Sequence, residues 1–232
     1  GVNTMTGTRL GATTVSSYVA DAQGRRQTVD GPVDDIAIPG GGVGVFILPN
    51  NTAGLRVQGG TVTYQSELAD RAYKVESSAP VTAYQFSSLC CSHSFSNDAS
   101  ILFPAGSQGR SYVGVSLPYI NRMQGRPAEG PSYLSVVASD QESEVEVDIG
   151  NRQIQPIAGV RMEQGVMRVR LAPYQVLTML SANTTPARSD LTGVSIRASS
   201  EVAVFGGHIC TEMPFGSPAC DHVETSLMPV ET

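Results

Sequence analysis

Hydrophobic and polar residues alternate in short windows along the whole chain. The windows are Ala12–Ala20, Val43–Leu48, Thr61–Gln65, Pro80–Phe86, Tyr112–Leu117, Tyr133–Ala138, Glu144–Ile149, Val166–Leu171, Val176–Leu180 and Glu201–Phe205. A two-residue repeat is that of a β-strand with one buried face. Clusters of Gly, Pro and Asn separate the windows, and the 3.6-residue repeat of an amphipathic helix is missing. The pattern predicts an all-β protein, an antiparallel β-sandwich of jelly-roll type.

Two stretches of the chain resemble each other. Glu67-Leu68 and the strand after Ser77-Ser78 are similar to Asp190-Leu191 and the strand after Ser199-Ser200. We therefore expect one domain over residues 1–232, built from two related β-sandwich halves at about 1–105 and 106–232. The alternative is a coincidence of strand composition.

Composition and charge exclude some partners. The chain has 232 residues, of which 41% are hydrophobic and 16% are charged, and its net charge is −6. Because no basic tract exists beyond Arg25-Arg26, we expect no nucleic-acid partner. The longest apolar stretch, Val43–Leu48, is far shorter than the roughly 18 to 20 residues of a membrane-spanning helix, which predicts no membrane insertion. The chain begins at Gly1 and not at Met, so we expect an excised domain or a processed product.

One pair of strands carries opposite charges. Alternation places Glu144, Glu146 and Asp148 on one face of a strand, while Arg168 and Arg170 share a face of another. We predict cross-strand ion pairs between them. A calcium site is the disfavoured alternative, because carboxylates two residues apart on a flat strand diverge from a single ion.

The four cysteines predict disulfide chemistry. Cys210 and Cys220 are ten residues apart in a Gly/Pro-rich stretch, and Cys90 and Cys91 are adjacent. An even number of cysteines favours disulfides and an oxidising compartment. Cys90 and Cys91 either bond to each other, pair with other cysteines or stay free. A zinc site made of His208, Cys210, Cys220 and His222 is the alternative, although this spacing fits none of the usual zinc motifs.

Several separated segments resemble one known family. The segments are Pro80-Val81-Thr82-Ala83-Tyr84-Gln85-Phe86, Phe95 to Pro104, Asp190-Leu191-Thr192-Gly193, Val202 to Cys210, and Ala219-Cys220-Asp221-His222. In order, spacing and strand context they resemble the IgGFc-binding protein N-terminal domain family. The insertion-like Cys90-Cys91 departs from the family pattern.

The resemblance implies an extracellular binding module. The family includes the N-terminal region of a secreted animal protein and parts of large surface or secreted bacterial proteins. Of the basic residues, 14 are Arg and one is Lys, which suits a bacterial member. Antibody binding is not carried over, since the matched segments look like sequence that specifies the fold.

Five residues in these segments are structural or ligand-binding candidates. They are Asn97, Asp98, His208, Asp221 and His222. Asn97 and Asp98 precede an apolar strand, where their side chains can close an Asx-turn or cap backbone donors. His208 follows a Gly-Gly pair typical of a bulge, and His222 follows Asp221, so each histidine fits a buried position holding neighbouring carbonyls.

These features predict a non-enzymatic, secreted or surface-exposed adhesion module. It would present loop residues, with Tyr and Arg anchors, to a protein or glycan on a cell surface or matrix, without a cofactor. Gly-x-Ser-x-Gly and His-Glu-x-x-His sequences are absent. One alternative is a hydrolase that uses the His208/Cys210/Cys220/His222 region, and another is a structural spacer.

Overall fold

The computed structural model describes residues 2–9, 16–29, 36–47, 55–58, 61–70, 72–87, 98–120, 130–214 and 220–230. In the first half of the chain these residues form β1 (Val2–Arg9), β2 (Ser16–Ala20), β3 (Arg26–Val29), β4 (Ile36–Pro39), β5 (Val43–Ile47), β6 (Leu55–Gln58), β7 (Thr61–Tyr64), β8 (Glu67–Ala69), β9 (Tyr73–Ser77), β10 (Tyr84–Ser87) and β11 (Asp98–Ile101).

The second half of the chain is also dominated by strands. They are β12 (Gly109–Val113), β13 (Ser132–Ala138), β14 (Ser143–Asp148), β15 (Met162–Glu163), β16 (Val166–Leu171), β17 (Val176–Leu180), β18 (Ser195–Thr211) and β19 (Asp221–Ser226). The helical elements in the described ranges are a 3-10 turn at Ala105–Ser107 and one α-helical turn, α1 (Pro186–Ser189). The prediction of an all-β sandwich is confirmed. None of the described helices has the length and apolar character needed to span a membrane.

Every predicted window overlaps a strand, and all strand pairs among the described residues are antiparallel. The first half contributes small sheets with the orders β4-β1-β9, β3-β2-β5, β6-β7 and β10-β11. The large sheet has the order β15-β16-β14-β18-β13-β17-β8, and β12 and β19 pair with β18 as well. Strand β8 of the first half therefore belongs to the same sheet as the second half. The duplication of two related halves stays a prediction.

Strand β18 belongs to both layers of the sandwich. Its first residues lie between β12 and β14, and its later residues lie between β13 and β19. Between the two parts, the pairing with β12 jumps from Ser111↔Arg197 to Gly109↔Val202. An irregularity of this kind bends a strand, and strands that change sheets in this way form the corners of sandwiches.

The core fills the space between the two layers. Alternate residues of β14, β16 and the first part of β18 face alternate residues of β13, β17 and the later part of β18. The largest fully buried side chains include Leu134, Met167, Leu171, Leu177, Met179 and Ile196. On β14, Val145 and Val147 are buried while Glu144 and Asp148 are exposed, as the alternation predicts.

A connecting segment crosses the inner face of β18 at a glycine. The predicted window Tyr112–Leu117 is strand only as far as Val113, and its last residues bond instead to the loop before β18, where Gly114 N–H donates to the carbonyl of Val194 at 2.7 Å. A Cβ atom built on Gly206 would overlap the carbonyl oxygen of Val115. The close approach of this segment therefore requires glycine at position 206.

We expect Gly206→Ala to lower the free energy of unfolding by about 1–3 kcal/mol, because the added methyl group must displace backbone. Urea denaturation followed by far-UV circular dichroism measures the change. Gly106→Ala is the matched control: a Cβ at Gly106 meets no atom within 4 Å, so its effect should stay within about 0.5 kcal/mol. Equal midpoints for wild type and Gly206→Ala would contradict the close packing of Val115 against Gly206.

Candidate functional site

The sequence-predicted residues that the structure describes gather around the hairpin of β18 and β19. They are Asp98, His208, Cys210, Cys220, Asp221 and His222. Asp221 lies opposite Thr211 at the start of β19. The remaining predicted residues, Cys90, Cys91 and Asn97, lie outside the described residues.

A disulfide closes the hairpin. Cys210 near the end of β18 is bonded to Cys220 just before β19, with a Cα–Cα distance of 5.1 Å. This pairing was predicted from the spacing and is confirmed. On the loop-entropy argument, a bond across ten residues stabilises the fold by roughly 2 to 3 kcal/mol. It fixes the start of β19 against β18.

The zinc alternative at this hairpin is wrong. Zinc binds thiolates, and both thiols are consumed in the disulfide. In the register of the hairpin, His208 faces Val223, which places His208 and His222 on opposite faces of the sheet. No group of three or more His, Cys, Asp or Glu side chains within the described ranges could hold a metal ion.

The side chain of Tyr133 extends over Gly207 of the neighbouring strand and reaches Glu224 on the strand beyond it. Tyr133 on β13 lies opposite Gly207 on β18, which lies opposite Glu224 on β19. The Tyr133 hydroxyl donates to Glu224 Oε2 at 2.8 Å. A Cβ at Gly207 would lie 2.8 Å from that hydroxyl oxygen. The ring can therefore cover the middle strand only because position 207 has no side chain.

His222 completes this cluster. Its ring is stacked on Tyr133, with 5.9 Å between ring centroids, and its Nε2 lies 3.2 Å from the Tyr133 hydroxyl. Because that hydroxyl gives its proton to Glu224, His222 Nε2 is the donor in the second contact. The three side chains form one hydrogen-bonded chain across the outer face of three strands.

Burial sets the protonation of the cluster. Desolvation raises the pKa of Tyr133 well above its usual value, and the negative charge of Glu224 raises it further. Desolvation also raises the pKa of Glu224, against the stabilising hydrogen bond from Tyr133. The pKa of His222 is lowered by desolvation, which the charge of Asp98 partly offsets. Tyr133 therefore remains a hydrogen-bond donor throughout the physiological range.

His208 lies on the opposite, inner face and is fully buried. Its Nδ1 accepts a hydrogen bond from Cys210 N–H at 3.0 Å, so the neutral ring carries its proton on Nε2. That atom has no partner of hydrogen-bonding geometry among the described residues. Desolvation lowers the pKa of His208 to about 4, although the carbonyls of Pro118 and Gly130 favour the charged ring. The predicted bulge at Gly206-Gly207 is wrong, since β13 pairs with β18 without interruption there.

The ribbon formed by β10 and β11 is held against β19 by side chains. The Asp98 carboxylate accepts hydrogen bonds from the amides of Ala99 and Glu224. Ser100 Oγ accepts from the amide of Ser226 at 2.7 Å, and Gln85 Nε2 donates to Glu224 Oε2 at 3.2 Å. These contacts turn the polar face of the ribbon toward β19.

The outer face of this ribbon is apolar. Tyr84 pairs with Ile101 and Phe86 with Ala99, so all four residues share the face opposite to Gln85, Asp98 and Ser100. Tyr84 is 55% exposed, Phe86 49% and Ile101 43%. The aromatic rings lie 6.3 Å apart between centroids. An exposed apolar cluster on a well-anchored ribbon has the character of an interaction surface.

The charged strands form an open groove on the other layer. Arg168 lies opposite Glu146, and Arg170 lies opposite Glu144. Arg168 Nη2 contacts Glu146 Oε2 at 2.5 Å, which confirms one of the predicted cross-strand ion pairs. Arg170 contacts Glu142 and not Glu144, and the Asp148 carboxylate accepts a hydrogen bond from the amide of Gly150. The groove above these residues has a volume of about 560 Å³.

The sequence model of one family, described as IgGFc binding protein, matches residues 98–232. The chain belongs to the IgGFc binding protein family. The match covers more than half of the chain and starts at the first residue of β11, so the segment Pro80 to Phe86 precedes it. The family consists of extracellular binding domains. No curated protein matches this chain, and no solved structure matches it.

Sequence reasoning missed Tyr133, Glu224, Gln85 and Ser100 as members of the site. One signal was present: the alternation in Tyr84-Gln85-Phe86 already assigns the two aromatic rings to one face. The contact of Tyr133 with Glu224 joins residues 91 positions apart, and no local pattern encodes it. The Gly206-Gly207 pair is visible in the sequence, but its role is to leave room for Val115 on one face of β18 and for Tyr133 on the other.

We expect the stability of the domain to fall as the pH drops from 6.5 to about 4. The unfolded chain binds a proton at His208 below its ordinary pKa of 6.5, whereas the folded state resists it until about 4. The difference corresponds to about 3 kcal/mol at the acidic end. Urea denaturation at several pH values measures this loss.

His208→Gln should remove most of that pH dependence. His222→Gln should remove less, because the charge of Asp98 partly offsets the desolvation that lowers the pKa of His222. An unchanged slope in His208→Gln between pH 6.5 and 4 would show that its burial is not the cause.

Asp98→Ala should speed amide hydrogen exchange at Glu224 by about tenfold, since a charge-assisted hydrogen bond to that amide is lost. Hydrogen exchange read by NMR gives the rate at the single amide. Asp140→Ala, in an exposed bend between β13 and β14, is the control and should leave exchange at Glu224 unaltered. Identical rates in both variants would contradict the docking of the ribbon by Asp98.

Proposed function

We propose that this domain is a non-enzymatic extracellular adhesion module. It binds a ligand on a cell surface or in the extracellular matrix through the outer face of the β10–β11 ribbon. The observation that carries the proposal is the exposed cluster of Tyr84, Phe86 and Ile101 on a ribbon whose polar face is anchored to β19. The binding surface is thus a strand face and not the loops expected from the sequence.

The ribbon suits binding because its apolar side chains are already held in position. Aromatic side chains bury large areas and lose little conformational entropy, so they dominate many interfaces. Asp98, Ser100 and Gln85 fix the ribbon before a ligand arrives. Pre-organisation of this kind reduces the entropic cost of association.

The chemistry of this face favours a protein partner over a glycan. The four side chains on it are Tyr84, Phe86, Ala99 and Ile101, and the Tyr84 hydroxyl is their one polar group. Sugar hydroxyls need several convergent polar partners, whereas apolar protein side chains need none. The family description supports a protein partner and makes the Fc part of IgG one candidate.

Two further features support the proposed location and source. The disulfide Cys210–Cys220 suits an oxidising, extracellular compartment. The 14 arginines against a single lysine favour a bacterial surface or secreted protein. The hydrolase alternative loses its nucleophile candidates, because both cysteines of that region are bonded to each other.

A binding panel with a ribbon variant tests this function. Immobilised IgG Fc, fibronectin and collagen are exposed to the wild-type domain and to Tyr84→Ala/Phe86→Ala, and affinity is measured by surface plasmon resonance. We expect wild type to bind at least one of them and the double variant to bind it at least about tenfold more weakly.

Val113→Ala/Met228→Ala is the matched control, since it removes exposed apolar side chains elsewhere on the surface. It should bind like wild type. If Tyr84→Ala/Phe86→Ala binds as tightly as wild type, the ribbon is not the binding site. If the wild-type domain binds nothing on the panel, the result favours the alternative of a structural spacer.

A further inference from the structure

The two edges of the β10–β11 ribbon differ. β11 lies between β10 and β19, and its outward backbone groups are occupied by side chains. The Ser226 hydroxyl donates to the carbonyl of Ile101 at 2.7 Å, and the amide of Ala99 donates to the Asp98 carboxylate at 2.8 Å. Among the described strands, β10 pairs with β11 alone. The outer edge of β10 therefore has no strand partner in the described part of the chain.

The alternation of hydrogen bonds in an antiparallel ladder identifies the residues that face this edge. The Leu102 amide donates to the carbonyl of Ala83 at 2.9 Å, one position before β10 begins. Bonded and non-bonded positions alternate in such a ladder, so Tyr84 and Phe86 occupy non-bonded positions. Their N–H and C=O groups consequently point away from β11. The position opposite Tyr84 agrees, because the carbonyl of Ile101 bonds to β19 and not to β10.

The edge of β10 has none of the usual protection against strand addition. Natural edge strands are commonly protected by charged side chains, proline or a bulge. The segment Tyr84–Ser87 contains no charged residue and no proline, and its register with β11 is uninterrupted. The outward amides of β19 are, by contrast, occupied by Asp98 and Ser100. The fold thus blocks strand addition at β19 and leaves the edge of β10 open to it.

This edge is complementary to the same edge of a second copy. Two β10 strands can run antiparallel with Gln85 of one copy opposite Gln85 of the other. Tyr84 then lies opposite Phe86 of the second copy, and each such pair exchanges both backbone hydrogen bonds. The arrangement uses every outward N–H and C=O of both residues. A register shifted by two residues would instead place Phe86 opposite Thr82, which precedes the strand.

The side chains favour the same pairing. A two-fold axis perpendicular to the joined sheet keeps the outer faces of both ribbons on one side, so Tyr84 of one copy becomes the cross-strand neighbour of Phe86 of the other. Aromatic cross-strand pairs stabilise antiparallel sheets, whereas like charges directly opposite each other destabilise them. β10 brings no charged side chain to the contact, and Asp98 lies on β11, away from it.

The size of this contact limits its strength and the number of copies. Stable interfaces bury about 1,200–2,000 Å², which is more than two short strands cover. Association should therefore be weak and depend on concentration. It should also stop at two copies, because the other edge of each ribbon lies against β19. A weak contact of this kind becomes populated where many copies are held close together.

We propose that two copies of this domain associate through their β10 edges and form one antiparallel sheet of the order β11-β10-β10-β11, centred on Gln85. The outer faces of the two ribbons then join into a single aromatic surface. This inference goes beyond the proposed function, since it concerns the binding of the domain to itself. A dimer presents two ligand-binding faces side by side, which strengthens attachment to a ligand that is present in many copies.

Self-association is measured without any ligand, so its outcome is independent of the proposed function. Sedimentation equilibrium over a range of protein concentrations gives the dimer fraction, and hydrogen exchange read by NMR gives the protection of single amides. We expect a monomer–dimer equilibrium in which exchange at the amides of Tyr84 and Phe86 slows by at least about tenfold in the dimer.

The amides of Gln85 and Ser87 are the internal reference, because they are already bonded to β11 in the monomer. Their exchange should change less. A protein that stays monomeric at every concentration overturns the proposal. A dimer in which the amides of Tyr84 and Phe86 gain no protection overturns it as well, since another surface then holds the copies together.

A proline separates the edge hydrogen bonds from the aromatic ring. Phe86→Pro and Phe86→Ala both remove the ring, but only Phe86→Pro removes the outward N–H. Proline is tolerated in a strand where its nitrogen faces away from the ladder. Phe86→Pro should weaken dimerisation at least about fivefold more than Phe86→Ala, because each copy loses a hydrogen bond. Met228→Ala, at an exposed position outside the ribbon, is the control and should dimerise like wild type. Equal dimerisation of Phe86→Pro and Phe86→Ala contradicts the hydrogen-bonded edge.

A cysteine at the two-fold axis tests the register independently. Opposite residues at a non-bonded position have Cα atoms about 4.5 Å apart, which a disulfide can span. In a Cys90→Ser/Cys91→Ser background, Gln85→Cys should form an intermolecular disulfide on mild oxidation. Thr225→Cys, at an exposed position of β19, is the matched control and should cross-link far less. Equal cross-linking of the two variants, or none in Gln85→Cys, overturns the pairing centred on Gln85.

Discussion

The double use of β18 is the constraint on which the rest of the structure depends. One strand lies between β12 and β14 in one layer and between β13 and β19 in the other. A strand shared in this way couples the two layers, because its irregularity at residues 198–201 fixes how one layer is placed on the other. The position of β18 between neighbours also requires close approach on both of its faces. Val115 of the connecting segment approaches the backbone at Gly206, and Tyr133 approaches it at Gly207, so both positions need glycine.

Backbone amides at the margins of this fold are frequently satisfied by short side chains. Ser100 accepts from Ser226, Ser116 from Leu191, Ser66 from Leu180 and Ser199 from Glu144. Serine and aspartate supply such local acceptors without adding a strand partner. This arrangement suits a chain with only 16% charged residues. It holds neighbouring segments together where regular ladder pairing ends.

The sequence was sufficient for features whose signal is local. Alternation identified β14 and the faces of its glutamates, and the spacing of Cys210 and Cys220 identified their disulfide. The corner of β18 was missed, because Ser199-Ser200-Glu201 contains no glycine or proline that would indicate a break. The Tyr133–Glu224 contact and the docking of Ser100 on β19 join segments far apart in the chain. Their geometry depends on tertiary pairing, which short-range periodicity does not encode.

The way in which β11 meets β19 has a consequence for association between molecules. An edge strand normally presents a row of unpaired amides that can template the addition of a foreign strand, which is the first step toward fibrils. Here the amides of Glu224 and Ser226 are already occupied by Asp98 and Ser100. The same two side chains that display the aromatic ribbon thus also prevent β19 from recruiting another chain, so recognition and colloidal solubility rest on one pair of residues.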